Sequence, residues 1–169
     1  EKGQEVRKAI YYGINRQEII QKIFLGHATQ IDVPIHPNSW LISDEANMYG
    51  YNVERSKEIL FANGFIDIDD DGILEDENGN KLSFRLLTNP SNKLRLRTAE
   101  MIREDLKSIG IHLILDFDTS YRDDITMEEE KKEWDEIRTR LLSGNYDIAL
   151  LGWQTSVIPE LSTFFHSLQ

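Results

Sequence analysis

Apolar residues along this chain keep two different periods, and the places where one gives way to the other outline its elements. Val6, Ala9, Ile10 and Gly13 recur at the spacing of one helical face. Ile19, Ile20, Ile23 and Phe24 form a second stripe. Asn15 precedes it with Glu18 three residues on, the pattern of a capping box, and Gly26 supplies a left-handed terminator. So tight a corner predicts that these two helices pack on each other. Periodicity is lost from His27 to Gly50, where Pro34 and Pro37 bracket Ile35-His36, so an extended loop is expected. Asn52 caps a third predicted helix, Val53 to Asn63, closed by Gly64.

The period then falls to two. Leu82, Phe84 and Leu86 alternate with Ser83 and Arg85, Leu87 joins the run, and Asn89-Pro90 ends it. A helix starting at Ser91 or Asn92 carries Ala99, Ile102, Leu106 and Ile109 on one face and stops at Gly110. Ile111 to Phe117 reads as a second strand, so this unit predicts two parallel strands joined by a helix. Tyr121 to Ser143 is helical but highly charged. Glu128 to Glu133 reads as a solvated face, and Trp134, Ile137, Leu141 and Leu142 hold the second half to the sheet. Gly144-Asn145 turns the chain into Ile148 to Leu151, which is apolar without alternation. Such a run predicts a strand covered on both faces, at the centre of an α/β sheet. Pro159 opens a last helix with Leu161, Phe164 and Phe165.

Composition narrows this picture. The 169 residues suffice for a single α/β domain spanning 1–169 and hardly for two. A net charge of -11 argues against a nucleic-acid or anionic-membrane surface, since both demand a basic patch. The absence of cysteine removes disulfides, thiolate metal sites and cysteine catalysis. No apolar run approaches the ~20 residues of a membrane span, no signal peptide opens the chain, and both ends read as cut from something longer.

Candidate chemistry gathers in two places. Gly152 removes a side chain where the last strand ends, and Trp153, Gln154, Thr155 and Ser156 follow. Open α/β sheets bind ligands beyond the carboxyl ends of their strands, so these four residues are the candidate ligand-binding set. On spacing alone, Trp153 as a cap on the core with an ordinary polar loop after it is the favoured reading. The second place is Asp67-Ile68-Asp69-Asp70-Asp71-Gly72-Ile73, which matches the first half of a calcium loop. Asp67, Asp69 and Asp71, the Ile73 carbonyl and Asn78 at position twelve would be the ligands. Asn78-Gly79 is also a hairpin signal, so an acidic β-turn without metal is the other reading. His27 and His36 lack partners at metal spacing and read as loop residues, and His112 reads as the solvent-facing side of its strand. Phosphate-binding glycine turns and the G-x-S-x-G elbow are both missing. An enzyme, a peptide hydrolase included, is therefore not expected.

With these blocks in order, the chain resembles the extracellular solute-binding proteins of family 5, the oligopeptide, dipeptide and nickel receptors of ABC importers. The resemblance is carried by Val6-Arg7-Lys8-Ala9-Ile10 with Gly13 to Ile20, by Pro34 to Trp40, by Tyr51-Asn52-Val53 through Gly64, by Asp67 to Ile73, and by Gly144 to Trp153. It implies a three-layer lobe of the type II periplasmic-binding-protein kind, with a mixed, mainly parallel central sheet flanked by helices plus an acidic β-hairpin. The chain would be most of the carboxy-terminal lobe, without the amino-terminal lobe, the lipidated or secretory start or the returning last segment. It implies a place in the periplasm or on the extracellular face of the membrane, and a monomer that binds peptide or a similar small solute between lobes for an ABC permease.

No cofactor is required on this reading, though calcium is a candidate. The tryptophan matching Trp153 lines the family's cleft. Where oligopeptide receptors place an aspartate that grips the peptide ammonium, this chain has Ser156. Asp123 to Glu136 is longer and more acidic than the family's connection. The rival from another class is a calcium-stabilised surface or adhesion module built on Asp67, Asp69 and Asp71.

Overall fold

The computed structural model describes residues 2–33, 35, 39–40, 49–117 and 124–152. In chain order these form α1 (Lys2–Gly13), α2 (Arg16–Lys22), α3 (Val53–Ala62), β1 (Ser83–Leu87), α4 (Lys93–Lys107), β2 (His112–Leu115), α5 (Met127–Ser143) and β3 (Ile148–Ala149). Asparagine starts three of the helices. Asn15, Asn52 and Asn92 accept the backbone N–H of Glu18, Arg55 and Arg95 respectively.

The predicted face of α1 is the buried one, with Val6, Ala9 and Gly13 inside. Its main partner, however, is α3 rather than α2. Small residues explain the choice. A side chain at Gly13 would meet Ile109 Cδ1 at 2.6 Å, and Ser56 Oγ of α3 donates to the Ala9 carbonyl at 2.7 Å. Of the predicted stripe on α2 only Ile19 is buried. The capping box at Asn15 is half formed: Asn15 gives its backbone N–H to Asp105 Oδ2 of α4, and only its side-chain amide reaches Glu18.

The three strands are parallel in the order β2-β1-β3. Leu82 and Leu86 of the β1 segment and Ile111 and Leu113 of the β2 segment enter one core with Ala9, Leu60, Ala99 and Leu106. Here the expectation for Ile148 to Leu151 is corrected. Among the described residues this segment is the sheet's edge, its strand is two residues long, and Ala149 is exposed. Ile148 and Leu150 pack against the core, while the alternate side chain does not. The strand covered on both faces is β1, where Leu86, Leu87, Thr88 and Asn89 are buried in succession.

Residues 66–82 form the expected acidic hairpin. Glu75 bridges antiparallel to Ile66 and to Lys81, and Leu74 threads the hairpin onto the sheet, its N–H going to Gly110 and its carbonyl to Leu82. Gly110 has φ +81, and a Cβ there would lie 2.5 Å from Leu74 Cγ, so only glycine suits the position. The helix expected from Pro159 and much of the proline-bracketed loop lie outside the described residues.

Candidate functional site

Parallel strands place all their carboxyl ends on one side, and there β1 and β3 converge. Thr88 Oγ1 donates to the Leu150 carbonyl at 2.6 Å, and Leu150 donates its N–H to the Leu87 carbonyl at 2.9 Å. The Thr88-Asn89 and Leu151-Gly152 ends therefore run side by side. Arg95, one turn into α4, lies against both. Its Nη1 donates to Asn89 Oδ1, and its Nη2 sits where a Cβ at Gly152 would fall, 2.6 Å away. The missing side chain at Gly152 thus makes room for a guanidinium. That group also stacks 5.5 Å from the centre of the Trp134 ring of α5.

Helix α5 closes this end from above. Its amino terminus carries a full capping box between Thr126 and Glu129, and Gly144 ends it at φ +68. Ile137 is its buried residue. Polar ties do the rest. Glu133 accepts the Ser91 backbone N–H at 3.1 Å and the Ser91 hydroxyl. Arg140 donates to the Asp116 carbonyl and to Asp116 Oδ2, at 3.1 and 2.5 Å. The charged face expected to be wholly solvated therefore turns Glu133 inward. Between α5 and the strand ends lies a cavity of about 170 Å³ lined by Leu87, Thr88, Asp116, Phe117, Ile137 and Arg140, among others.

Trp153, Gln154, Thr155 and Ser156 lie outside the described residues, which reach the strand end at Gly152. Reading the sequence missed Thr88, Asn89 and Arg95. The signal was present: Leu86, Leu87, Thr88 and Asn89 continue the strand past the point where alternation stops.

The acidic loop sits at the other end of the sheet, beside the amino ends of β1 and β2. Asp67 accepts the N–H groups of Asp71 and Gly72 at 3.2 and 2.9 Å, and Asp71 accepts that of Ile73 at 2.9 Å. Lys81 Nζ contacts Asp71 and lies 2.9 Å from Asp69. Its hydrogen bonds to Asp71 and Asp69 hold the ammonium protonated well above its usual range. The same lysine, and then the Ile73 N–H, holds the Asp71 carboxyl below the usual carboxylate range. Asn78 stands in the next turn, where its N–H donates to Asp76 Oδ1 at 2.8 Å. The fourth carboxylate beside the three aspartates is Glu75, which the sequence reading did not name. His112 is exposed, as expected, with Nδ1 3.3 Å from Ser83 Oγ.

The family model of bacterial extracellular solute-binding proteins, family 5 Middle, matches residues 2–169. The chain belongs to this family. The oligopeptide-binding protein AppA of Bacillus subtilis is 30% identical over 99% of this chain and 29% of its own length. The heme-binding protein A of Haemophilus influenzae is 26% identical over 88% of this chain and 23% of its own length. The solved structure of Bacillus subtilis AppA in complex with a nonapeptide superposes with a TM-score of 0.79 at 28% identity, covering 99% of this chain and 31% of that one. The family 5 chain therefore spans less than a third of the length of these relatives, and its fold is that of a type II periplasmic-binding-protein lobe. Among the described residues no helix is long and apolar enough to cross a membrane.

Proposed function

We propose that this chain is most of the carboxy-terminal lobe of the substrate-binding component of an ABC importer. It takes peptides or a related small solute at the carboxyl ends of its strands and performs no catalysis. The observation that carries this reading is the convergence of Thr88-Asn89 and Leu151-Gly152 around Arg95. This end of the sheet holds a guanidinium in place from the buried Asn89, beside the buried Thr88, and Trp153 to Ser156 follow directly in the chain. Neutral hydrogen-bonding groups with one cation suit the carbonyls and carboxylate of a peptide backbone. They do not suit its ammonium, for which Ser156 provides no counter-charge.

The binding protein acts as a monomer outside the cytoplasmic membrane. Its amino-terminal lobe covers the solute, and the permease recognises the closed form. Most of the affinity then comes from drying the cleft between lobes, so one lobe alone binds weakly. The adhesion-module rival has no support in the family to which the chain belongs.

The test is calorimetric titration of the complete receptor, and of this chain separately, with a peptide library blocked or free at the amino terminus. The reading expects micromolar or tighter binding by the receptor, indifference to amino-terminal blocking, and binding at least about a hundredfold weaker by this chain. Loss of peptide affinity on Trp153→Ala, with an unchanged melting midpoint, would support the site. A receptor that binds none of the library and instead retains heme would remove the peptide assignment.

A further inference from the structure

The hairpin at the amino end of the sheet carries an inference independent of solute binding. One carboxylate oxygen from each of Asp67, Asp69, Asp71 and Glu75 lies within 4.8 Å of all the others. The three aspartates are exposed, and water screens their repulsion well enough for them to stand together without a metal. Glu75 is different. It is 3% exposed, its Oε2 is fixed by the Ile68 N–H at 2.8 Å, and its Oε1 has no hydrogen-bond partner. A buried oxygen left in that condition costs free energy that a protein usually recovers through another partner. Lys81 supplies an ion pair but no hydrogen bond. Its Nζ lies 3.6 Å from Oε1 and is engaged with Asp69 and Asp71.

We propose that Asp67, Asp69, Asp71 and Glu75, with the Ile73 carbonyl, bind one calcium ion. Calcium takes oxygens at about 2.3–2.6 Å, which puts opposite ligands about 4.6–5.2 Å apart across the ion. Four oxygens spread over no more than 4.8 Å are of the size that sphere needs. Magnesium binds at about 2.0–2.1 Å, demands near-ideal octahedral geometry and keeps several of its waters, and zinc favours nitrogen and sulfur donors. The residues occupy positions one, three, five, seven and nine of a calcium loop, with Gly72 at six in the left-handed region at φ +85. The buried Glu75 at position nine supplies one oxygen, where an EF-hand takes two from a bidentate glutamate at position twelve. Asp67 already gathers the N–H groups of Asp71 and Gly72, so the loop is shaped before the ion arrives. Lys81 is the competing cation, and its flexible stem lets it leave.

For the test, the full chain is stripped with EDTA and dialysed, then titrated with CaCl2 and melted in 5 mM CaCl2 or in EDTA. One site is expected, with Kd in the range of about 10⁻⁴–10⁻³ M found for extracellular modules. The melting midpoint rises by about 2–5 °C in calcium, and MgCl2 does not reproduce the rise. Asp69→Ala, at an exposed position and lacking any ligand oxygen, abolishes the calcium shift while melting in EDTA stays close to wild type. Lys81→Met tightens calcium binding several-fold, an effect that a purely structural lysine would not give. Equal melting in calcium and EDTA, without heat of binding in either wild type or Lys81→Met, overturns the proposal. So does a calcium shift that survives in Asp69→Ala. Either result leaves Lys81 as the loop's own counter-ion.

Discussion

Asp105 Oδ2 accepts the backbone N–H of Asn15 at 2.8 Å, joining the corner between α1 and α2 to the last turn of α4. Burial raises the Asp105 carboxyl above its ordinary range, more than this N–H pulls it down; Glu18 adds to the rise and Lys22 opposes it. A carboxyl that holds its proton more tightly folded than unfolded favours the fold in acid. That contribution drains away as pH climbs from about 4 through the raised value. Asp105→Asn removes the loss. Its melting midpoint should exceed wild type at pH 7 and converge on it toward pH 4. Asp105→Ala, lacking the acceptor, should be less stable than Asp105→Asn by about 1 kcal/mol throughout. A constant gap between Asp105→Asn and wild type from pH 4 to 8 would show that the carboxyl titrates normally.

Gly110→Ala should be among the costlier single changes in this chain. The left-handed backbone costs an alanine about 1–2 kcal/mol, and contact with Leu74 adds about 1–3 kcal/mol of overpacking. Repeating the substitution in a Leu74→Ala background separates the two. The penalty there should shrink to the backbone part alone, as read from urea midpoints.

Glu133→Ala should loosen α5 without unfolding the sheet, because it strips both acceptors from Ser91. Trypsin cleavage at the adjacent Lys131 and Lys132 reports the opening. A charge-assisted tie of about 1.5–3 kcal/mol predicts cleavage at least about tenfold faster. Global melting should change little.

Gly152→Ala should displace the Arg95 guanidinium, which occupies the space a Cβ needs. With Trp40 and Trp153 replaced by phenylalanine, the emission of Trp134 reports the move. Arg95→Ala should give the full spectral change and Gly152→Ala a part of it. Identical spectra for all three proteins would mean that the stack on Trp134 does not persist in solution.

The helices were readable from the chain because each depends on its own neighbourhood. Asn52 and Asn92 cap as their positions suggest, and Gly26, Gly64, Gly110 and Gly144 all adopt the left-handed backbone. What could not be read was which surfaces meet. Four apolar residues from Ile148 to Leu151 look like a central strand, but composition records what burial would favour and not what is available to provide it. Ser56 ties α1 to α3 and Gly13 lets α1 close on Ile109, both through close approach, a property of shape without a period. The candidate site was half visible for a related reason. Gly152 stood out as an interruption, whereas Asn89 and Arg95 meet only because β1 and α4 fold back on each other. Glu75 went unnoticed because its burial comes from the hairpin, and a loop template fixed on position twelve looks past position nine.

Strand β1 is five residues long, so roughly 17 Å separate the acidic hairpin from Thr88 and Asn89. The two ends share a backbone but no side chain. A substitution at one end of β1 can therefore leave the packing at the other end undisturbed.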